Sequence, residues 1–190
     1  QLDHLIASGF DEVVLLLGVG AESVLSYLET VSVRMRVVPV IESRPLGTAG
    51  ALWHARAYLD EQFVFCFGDM VFSVDFGRLS RVFENTDVGI LMTMHPNDHP
   101  YDSDLIVTNN AGLVLKISSP PHDYPIRNKA NAGVYIFTRE VILASISKVI
   151  EPHLPLDLEK DVLPKIIEEK GITSSVIYEY LRDIGTIERI

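Results

Sequence analysis

The chain has 190 residues, and its net charge of −10 argues against a broad nucleic-acid or anionic-membrane surface, since both need clustered Lys and Arg. Apolar residues make up 47% of the chain, enough for a sizeable core, but no run approaches the ~18 unbroken apolar residues of a membrane span. The single cysteine, Cys66, excludes an internal disulfide framework and favours a reducing compartment, so we expect a cytoplasmic protein.

The first half of the chain alternates between helical and strand patterns. Residues 1–8 read as the end of an amphipathic helix that Gly9 terminates, so we expect further sequence before it. Strand-like apolar runs and segments with helical spacing follow: strands at 12–17, 33–41, 63–67 and 87–94, and helices at 21–28, 48–59 and 75–84. Thr48 and Asp75 are predicted to cap the last two helices. Such alternation implies parallel pairing through right-handed crossovers.

The pattern changes after His95. A polar loop to residue 104 precedes two short apolar runs, 105–107 and 113–117, which flank a turn and predict a hairpin. A strand, two helices, a strand and the opening of another helix are predicted after it: 132–137, 139–147, 156–170, 174–178 and from Asp183 onward. We therefore predict a single α/β domain over residues 1–190, with a doubly wound, mixed and mostly parallel sheet and an inserted hairpin region.

Two aspartates stand where strands end. Asp69 follows the apolar run 63–67, and ligands of open α/β sheets bind outside the carboxyl ends of strands. A carboxylate there is a suitable ligand for Mg²⁺. A turn-capping role explains Asp69 equally well, and a helix cap explains Asp183 better when it is taken alone. The two could share one cation if both strand ends meet at the same rim of the sheet.

The segment 42–50, Glu-Ser-Arg-Pro-Leu-Gly-Thr-Ala-Gly, forms a loop between a predicted strand and helix. Its backbone N–H groups could bind a planar base edge or a phosphate, and an ordinary tight loop is as good an interpretation. The Gly-Lys-Ser/Thr end of a Walker loop is absent. The sequence contains neither a zinc-type His/Cys cluster nor a Gly-x-Ser-x-Gly elbow, which disfavours zinc and serine-nucleophile chemistry.

Five blocks in this order resemble the sugar-1-phosphate nucleotidyltransferases, across essentially the whole chain. They are 42–52 (ESRPLGTAGAL), 67–69 (FGD), 131–137 (NAGVYIF), 158–164 (LEKDVLP) and 183–186 (DIGT). The combination of PLGTAG with LEKD is most similar to guanylyltransferases for mannose-1-phosphate or D-glycero-D-manno-heptose-1-phosphate. The stretch HPNDHPYDSDL resembles the heptose-type members, some of which are fused to a haloacid-dehalogenase phosphatase.

The resemblance implies the nucleotide-diphospho-sugar transferase fold and a set of site residues. These are Asp69 and Asp183 as catalytic residues on Mg²⁺; Leu46, Gly47 and Thr48 along the nucleobase; Asn131, Glu159 and Asp104 toward the sugar; and Lys160 near the sugar or its phosphate. The implied substrates are a nucleoside triphosphate, with GTP favoured, and a sugar-1-phosphate. The implied products are a nucleotide-sugar and pyrophosphate. A homo-oligomer and a fused phosphatase domain in the complete protein are compatible with this resemblance.

The sequence also departs from the family pattern. The opening Gly-rich motif, with its phosphate-binding Arg and a later Lys, is absent, so we expect a missing N-terminal βα unit and little or no activity from these 190 residues alone. Ser119-Pro120-Pro121 stands where the family has Glu-Lys-Pro, and Arg127 or Lys129 could replace that lysine. These departures keep open a non-catalytic relative that binds nucleotide-sugars. A glycosyltransferase is the other alternative, with the Asp102-Ser103-Asp104 triplet as its metal ligands.

Overall fold

A computed structural model of the chain describes residues 1–97, 100–101, 103–122, 128–150 and 155–185. The chain divides into two compact units, one formed by Gln1–Asp60 with Leu143–Val162 and the other by Glu61–Ile142 with Leu163–Ile190. Both combine helices with strands, which confirms the predicted α/β class with a mixed sheet.

The first unit contains a two-stranded parallel sheet with helices before and after each strand. Its elements are α1 (Leu2–Ala7), β1 (Glu12–Leu17), α2 (Ala21–Thr30), β2 (Arg36–Ile41), α3 (Thr48–His54), a 3₁₀ turn (Arg56–Tyr58) and a π-helical turn (Leu158–Val162). Strands β1 and β2 pair in parallel over their whole length, so the predicted parallel pairing is confirmed here. Gly9, at φ 91, follows α1 in the left-handed conformation expected of a helix-terminating glycine.

The second unit is built around one long strand. Its elements are β3 (Gln62–Cys66), β4 (Met70–Phe72), α4 (Phe76–Glu84), β5 (Ile90–Pro96), β6 (Leu105–Thr108), β7 (Val114–Ser118), β8 (Lys129–Thr138), α5 (Arg139–Ser147, which continues into the first unit), α6 (Leu163–Glu169), β9 (Thr173–Val176) and β10 (Leu181–Asp183). Strand β8 pairs antiparallel with both β3 and β5, while β9 pairs in parallel with β5.

Strands β3 and β5 do not pair with each other, whereas the alternation of strands and helices predicts direct parallel pairing between them. Both strands run in the same direction, but β8 lies between them and runs the opposite way. The predicted hairpin is present as β6 and β7, paired antiparallel. The direction of β8 depends on pairing between segments far apart in the sequence, which no local pattern indicates.

Three local predictions in this part of the chain have clear outcomes. Asp75 caps α4, with its side chain accepting a hydrogen bond of 2.8 Å from the N–H of Arg78. The helix predicted over 156–170 is confirmed from Leu158 to Glu169, although its first turn, residues 158–162, is π-helical and gives way to α6 just before Pro164. The helix predicted from Asp183 is wrong at its first residue, which ends β10; Thr186 and the rest of it lie outside the described residues.

The core of the second unit is centred on aromatic residues of β8. The rings of Tyr135 and Phe137 stack with centroids 5.3 Å apart, and both side chains have no exposed surface. Phe63 and Phe65 of β3 add tilted ring contacts to Phe137 at 5.6 and 6.0 Å. This aromatic group anchors β3, whose carboxyl end leads directly to Asp69.

We expect Phe137→Ala to lower the free energy of unfolding by about 3–5 kcal/mol, because it removes a fully buried ring and leaves a cavity. Urea denaturation followed by circular dichroism measures the change. Leu115→Ala is the control, since Leu115 is 56% exposed on β7 and should change stability by no more than about 0.5 kcal/mol. Equal losses in the two variants would contradict a core centred on β8.

Candidate functional site

Asp69 and Asp183 are brought together by a short antiparallel ladder. Asp69 lies in the turn between β3 and β4, and Asp183 is the last residue of β10. Strand β10 pairs with β4 so that Asp183 stands opposite Met70, the residue that follows Asp69. The N–H of Ile184 then donates a hydrogen bond of 2.8 Å to the backbone carbonyl of Asp69. Two residues far apart in the sequence therefore meet at one end of the ladder.

Their carboxylates face a common point beside Gly185. The N–H of Gly185 donates a hydrogen bond of 2.7 Å to Oδ1 of Asp183. A Cβ atom placed on Gly185 would lie 2.7 Å from Oδ2 of Asp69 and 3.1 Å from Oδ1 of Asp183. The Asp69 side chain is exposed, and that of Asp183 is half-buried. One oxygen of each carboxylate thus lies next to the space that a side chain at position 185 would occupy.

This arrangement fits a magnesium ion. Mg²⁺ prefers hard oxygen ligands and is usually held by one or two carboxylates, with water and substrate phosphates completing its shell. Within the described ranges, no group of three or more His, Cys, Asp or Glu side chains is placed to hold a metal. A two-carboxylate, oxygen-only donor set is typical of Mg²⁺ and atypical of structural zinc, which takes four ligands rich in Cys and His.

The turn that carries Asp69 is fixed by β8. The N–H of Phe67 donates to the carbonyl of Gly133 at 3.2 Å, and a side chain on Gly133 would collide with the Phe67 ring. Gly133 has φ 67, and its N–H donates to Oδ1 of Asn131 at 3.1 Å. Nδ2 of Asn131 donates to the hydroxyl of Tyr135. The structure thus places Asn131 next to the backbone that positions Asp69.

The loop predicted to contact the nucleobase lies in the first unit and is held by backbone hydrogen bonds. Oε2 of Glu42 accepts from the N–H of Leu46 at 3.1 Å, and the N–H of Leu156 donates to the carbonyl of Leu46 at 2.8 Å. Gly47 adopts φ 76, and a Cβ atom on it would collide with the backbone of Leu156. Glu42 is a functional candidate that residue-by-residue reasoning missed, although it opens the ESRPLGTAG motif.

Thr48 does not cap α3, contrary to the prediction. Gly47 occupies the cap position, and the Thr48 hydroxyl instead accepts a hydrogen bond of 2.7 Å from the N–H of Leu158. The helix also ends at His54 rather than at residue 59, and a 3₁₀ turn over Arg56–Tyr58 follows it. Thr48 does not cap the helix because its hydroxyl already accepts a hydrogen bond from Leu158, a residue far away in the sequence.

Glu159 and Lys160 lie on the π-helical turn of the same unit. Oδ1 of Asp157 accepts from the N–H groups of both residues at 2.9 Å, so Asp157 caps this turn. Glu159 is half-buried and Lys160 is exposed. The LEKD block and the 46–48 loop are therefore neighbours, joined through Thr48 and Leu158.

The remaining predicted residues lie in the second unit or outside the described ranges. Asp104 is half-buried immediately before β6, and Lys129 begins β8. Arg127, Asp102 and Thr186 lie outside the described residues.

Burial raises the pKa of the Cys66 thiol to about 11, so the thiol stays protonated at neutral pH and is a poor nucleophile. No helix in the described part of the chain is long and apolar enough to cross a membrane.

The match to known proteins is extensive. Residues 1–190 match the model of the nucleotidyl transferase family, and the chain belongs to that family. It is 28% identical over 193 residues to mannose-1-phosphate guanylyltransferase 1 of Arabidopsis thaliana, covering 97% of this chain and 51% of that protein. It is 26% identical over 190 residues to the catalytic subunit beta of mannose-1-phosphate guanylyltransferase from Drosophila pseudoobscura pseudoobscura, covering 97% and 49%.

The fold agrees with a solved structure. HddC from Yersinia pseudotuberculosis superimposes with a TM-score of 0.82 at 24% identity, covering 99% of this chain and 79% of that one. This likeness confirms the nucleotide-diphospho-sugar transferase type of fold that the sequence motifs imply. The chain spans about half the length of the curated relatives it matches.

We expect Gly47→Ala to lower the free energy of unfolding by about 1–3 kcal/mol, since Gly47 combines a left-handed backbone with close packing on Leu156. Chemical denaturation is the measurement. Gly77→Ala is the matched control, because Gly77 lies in α4 with room for a Cβ atom and should gain up to about 1 kcal/mol from helix propensity. The same sign of change in both variants would contradict this explanation.

We expect Gly185→Ala to weaken divalent-cation binding by about tenfold or more, because the new methyl group would displace the two carboxylate oxygens. Titration with Mn²⁺, followed by the electron paramagnetic resonance of the free ion, measures the affinity. Gly68→Ala has open space around its Cβ position and should bind Mn²⁺ as the unaltered protein does. Normal Mn²⁺ binding by Gly185→Ala would remove the reason to place a cation here.

Proposed function

We propose that this protein transfers a nucleotidyl group, GMP from GTP by preference, to a sugar-1-phosphate and releases a nucleotide-sugar and pyrophosphate. The observation that carries the proposal is the convergence of Oδ2 of Asp69 and Oδ1 of Asp183 beside Gly185. Membership of the nucleotidyl transferase family supports the reaction class. The preference for a guanylyl group and for mannose-1-phosphate or a similar sugar is supported by the names of relatives 26–28% identical to the chain.

In this reaction, an oxygen of the sugar-1-phosphate bonds to the α-phosphorus of the triphosphate. The bond from that phosphorus to the bridging oxygen of the β-phosphate breaks, and the electron pair leaves with pyrophosphate. Such transfers depend on in-line positioning and on charge stabilisation more than on a protein nucleophile. A protonated Cys66 thiol and the absence of a Gly-x-Ser-x-Gly elbow accord with that requirement.

Asp69 and Asp183 would hold Mg²⁺, which supplies charge neutralisation for the phosphates when it is bound. The residues themselves contribute a fixed pair of oxygen donors. Asp183 is oriented by the Gly185 N–H, and Asp69 is tied to β10 through Ile184. Because these bonds fix both backbones, the two donors would need little rearrangement when a metal–triphosphate complex arrives.

In the first unit, the loop of Leu46, Gly47 and Thr48 would contact the nucleobase. The Glu42 carboxylate and the Leu156 backbone both bond to this loop and hold its shape, which suits recognition of a planar base edge. The neighbouring π-helical turn would direct Glu159 toward sugar hydroxyls and Lys160 toward the sugar phosphate. The Asp157 cap, which fixes the backbone of both residues, supports these roles.

In the second unit, Asn131 and Asp104 would contact the sugar. Asn131 also has a second task, since its carboxamide orders the backbone at Gly133 and thereby the turn that carries Asp69. An acidic chain that binds two polyanions needs local positive charge, and the basic residues in or beside these motifs include Arg44, Lys160 and Arg182.

A pyrophosphate-release screen of the full-length protein tests the proposal. Four nucleoside triphosphates are combined with mannose-, glucose- and heptose-1-phosphate, and release should be greatest with GTP. Asp69→Asn should lower kcat by about 100-fold or more, because removing a metal ligand removes transition-state charge stabilisation. Asp87→Asn, at an exposed aspartate before β5, should leave kcat unchanged.

Three results of this screen would count against the proposal. Full turnover by Asp69→Asn would contradict the metal role. Binding of a nucleotide-sugar without pyrophosphate release from any pair would favour the non-catalytic alternative. Release of a free nucleoside diphosphate would favour a glycosyltransferase.

A further inference from the structure

Arg78, on α4, is joined by side-chain hydrogen bonds to the last two residues of β9 and to Glu179 in the segment that follows it. Its Nη2 donates to Oε1 of Glu179 at 2.8 Å, and its Nη1 lies 3.2 Å from Oγ of Ser175 and 3.4 Å from the carbonyl of Val176. The Asp75 cap fixes the backbone N–H of Arg78 in the first turn of α4. The guanidinium is thus anchored on a capped helix and spans the end of β9 and the segment beyond it.

The segment that Arg78 holds leads to Asp183. Residues 177–180 connect β9 to β10, and two of them, Tyr178 and Tyr180, are 78% and 56% exposed, so they contribute little packing. Backbone bonds at the two ends tie the connection to Met94 and Ser73. Between those ends, Glu179 lies with its carboxylate bonded to Arg78 through Oε1 and to the N–H of Tyr178 through Oε2.

Strand β10 is short. Its ladder with β4 comprises three residue pairs, and Asp183 is the last of them. A ladder of that length frays easily unless a neighbouring contact holds one end, because terminal pairs have low local stability. The bond between the Ile184 N–H and Asp69 lies at the far end. At the near end, the tie at Glu179 adds to the backbone bond between the Ser73 N–H and the Tyr180 carbonyl.

We propose, on the basis of the function proposed above, that Arg78 and Glu179 are positioning residues that hold β10 in register on β4, so that the Asp183 carboxylate faces Asp69. Neither residue belongs to the five motif blocks. Partial burial would raise the pKa of Glu179, but the hydrogen bond from Arg78, the backbone N–H groups and the Arg78 charge lower it to about 2. Glu179 therefore stays ionised throughout the pH range of an enzyme assay.

Amide hydrogen exchange of the full-length protein tests the positioning directly, without substrate or metal. In Arg78→Gln and Glu179→Gln, the Ile184 amide should exchange about tenfold faster, while the amides of β8 keep their protection, because only the short ladder loosens. Arg36→Gln is the matched control, since it breaks another ion pair, Arg36–Glu12 at 2.6 Å in the first unit, and should leave Ile184 unchanged. Unaltered exchange at Ile184, or equal acceleration at Ile184 and in β8, would overturn the proposal.

Mn²⁺ affinity, again by electron paramagnetic resonance of the free ion, supplies a second readout. Arg78→Gln and Glu179→Gln should each bind Mn²⁺ about tenfold more weakly, as expected when the support of a metal ligand is removed. The charge-reversed double variant Arg78→Glu with Glu179→Arg should recover part of the lost affinity, because it restores the attraction between the two positions but not the Arg78 bonds to Ser175 and Val176. A double variant no better than the single variants would overturn the ion-pair explanation.

Asp69→Asn separates this proposal from the proposed function. If Asp69→Asn abolishes Mn²⁺ binding while Arg78→Gln and Glu179→Gln bind normally, the positioning proposal fails and the metal site stands. If Asp69→Asn binds Mn²⁺ like the unaltered protein, the metal site fails, and exchange at Ile184 alone decides whether Arg78 and Glu179 hold β10.

Discussion

A three-residue antiparallel ladder between β4 and β10 holds two carboxylates, from opposite ends of the second unit's sequence, at one point beside Gly185. Two like charges directed at the same space repel each other, and the repulsion grows as water is excluded. The backbone bonds from Gly185 and Ile184 offset part of that cost, and a divalent cation would offset the rest. The need to hold two acidic groups together explains why the surrounding backbone is so closely tied down.

The supports on either side of this point come from different elements. On the Asp69 side, the aromatic core of β8 and the Asn131–Gly133 turn fix the end of β3. On the Asp183 side, Arg78 of a capped helix holds the segment that enters β10. A carboxylate whose backbone is fixed from both directions loses little conformational freedom when a ligand binds, so more of the interaction energy remains for the ligand.

The 46–48 loop of the first unit is also fixed by hydrogen bonds to its backbone. The loop is held by Glu42 and by the backbone of Leu156, and the one residue in left-handed conformation is a glycine packed against that backbone. The Thr48 hydroxyl is also used in an internal bond, to the N–H of Leu158. Together these bonds determine the shape of the loop.

The sequence by itself determined the features that depend on neighbours along the chain: the alternation of strands and helices, the Asp75 cap, the β6–β7 hairpin and the family motifs. Only the tertiary structure decided that β8 lies between β3 and β5, that Thr48 bonds to Leu158 and that Arg78 bonds to Glu179. Strand β4 escaped prediction because three residues are too few to show a period of two. For β10, the sequence indicated a strand end at Asp183 but not the pairing with β4. Local patterns reflect short-range sterics and burial, whereas these contacts join segments whose separation in sequence carries no periodic signal.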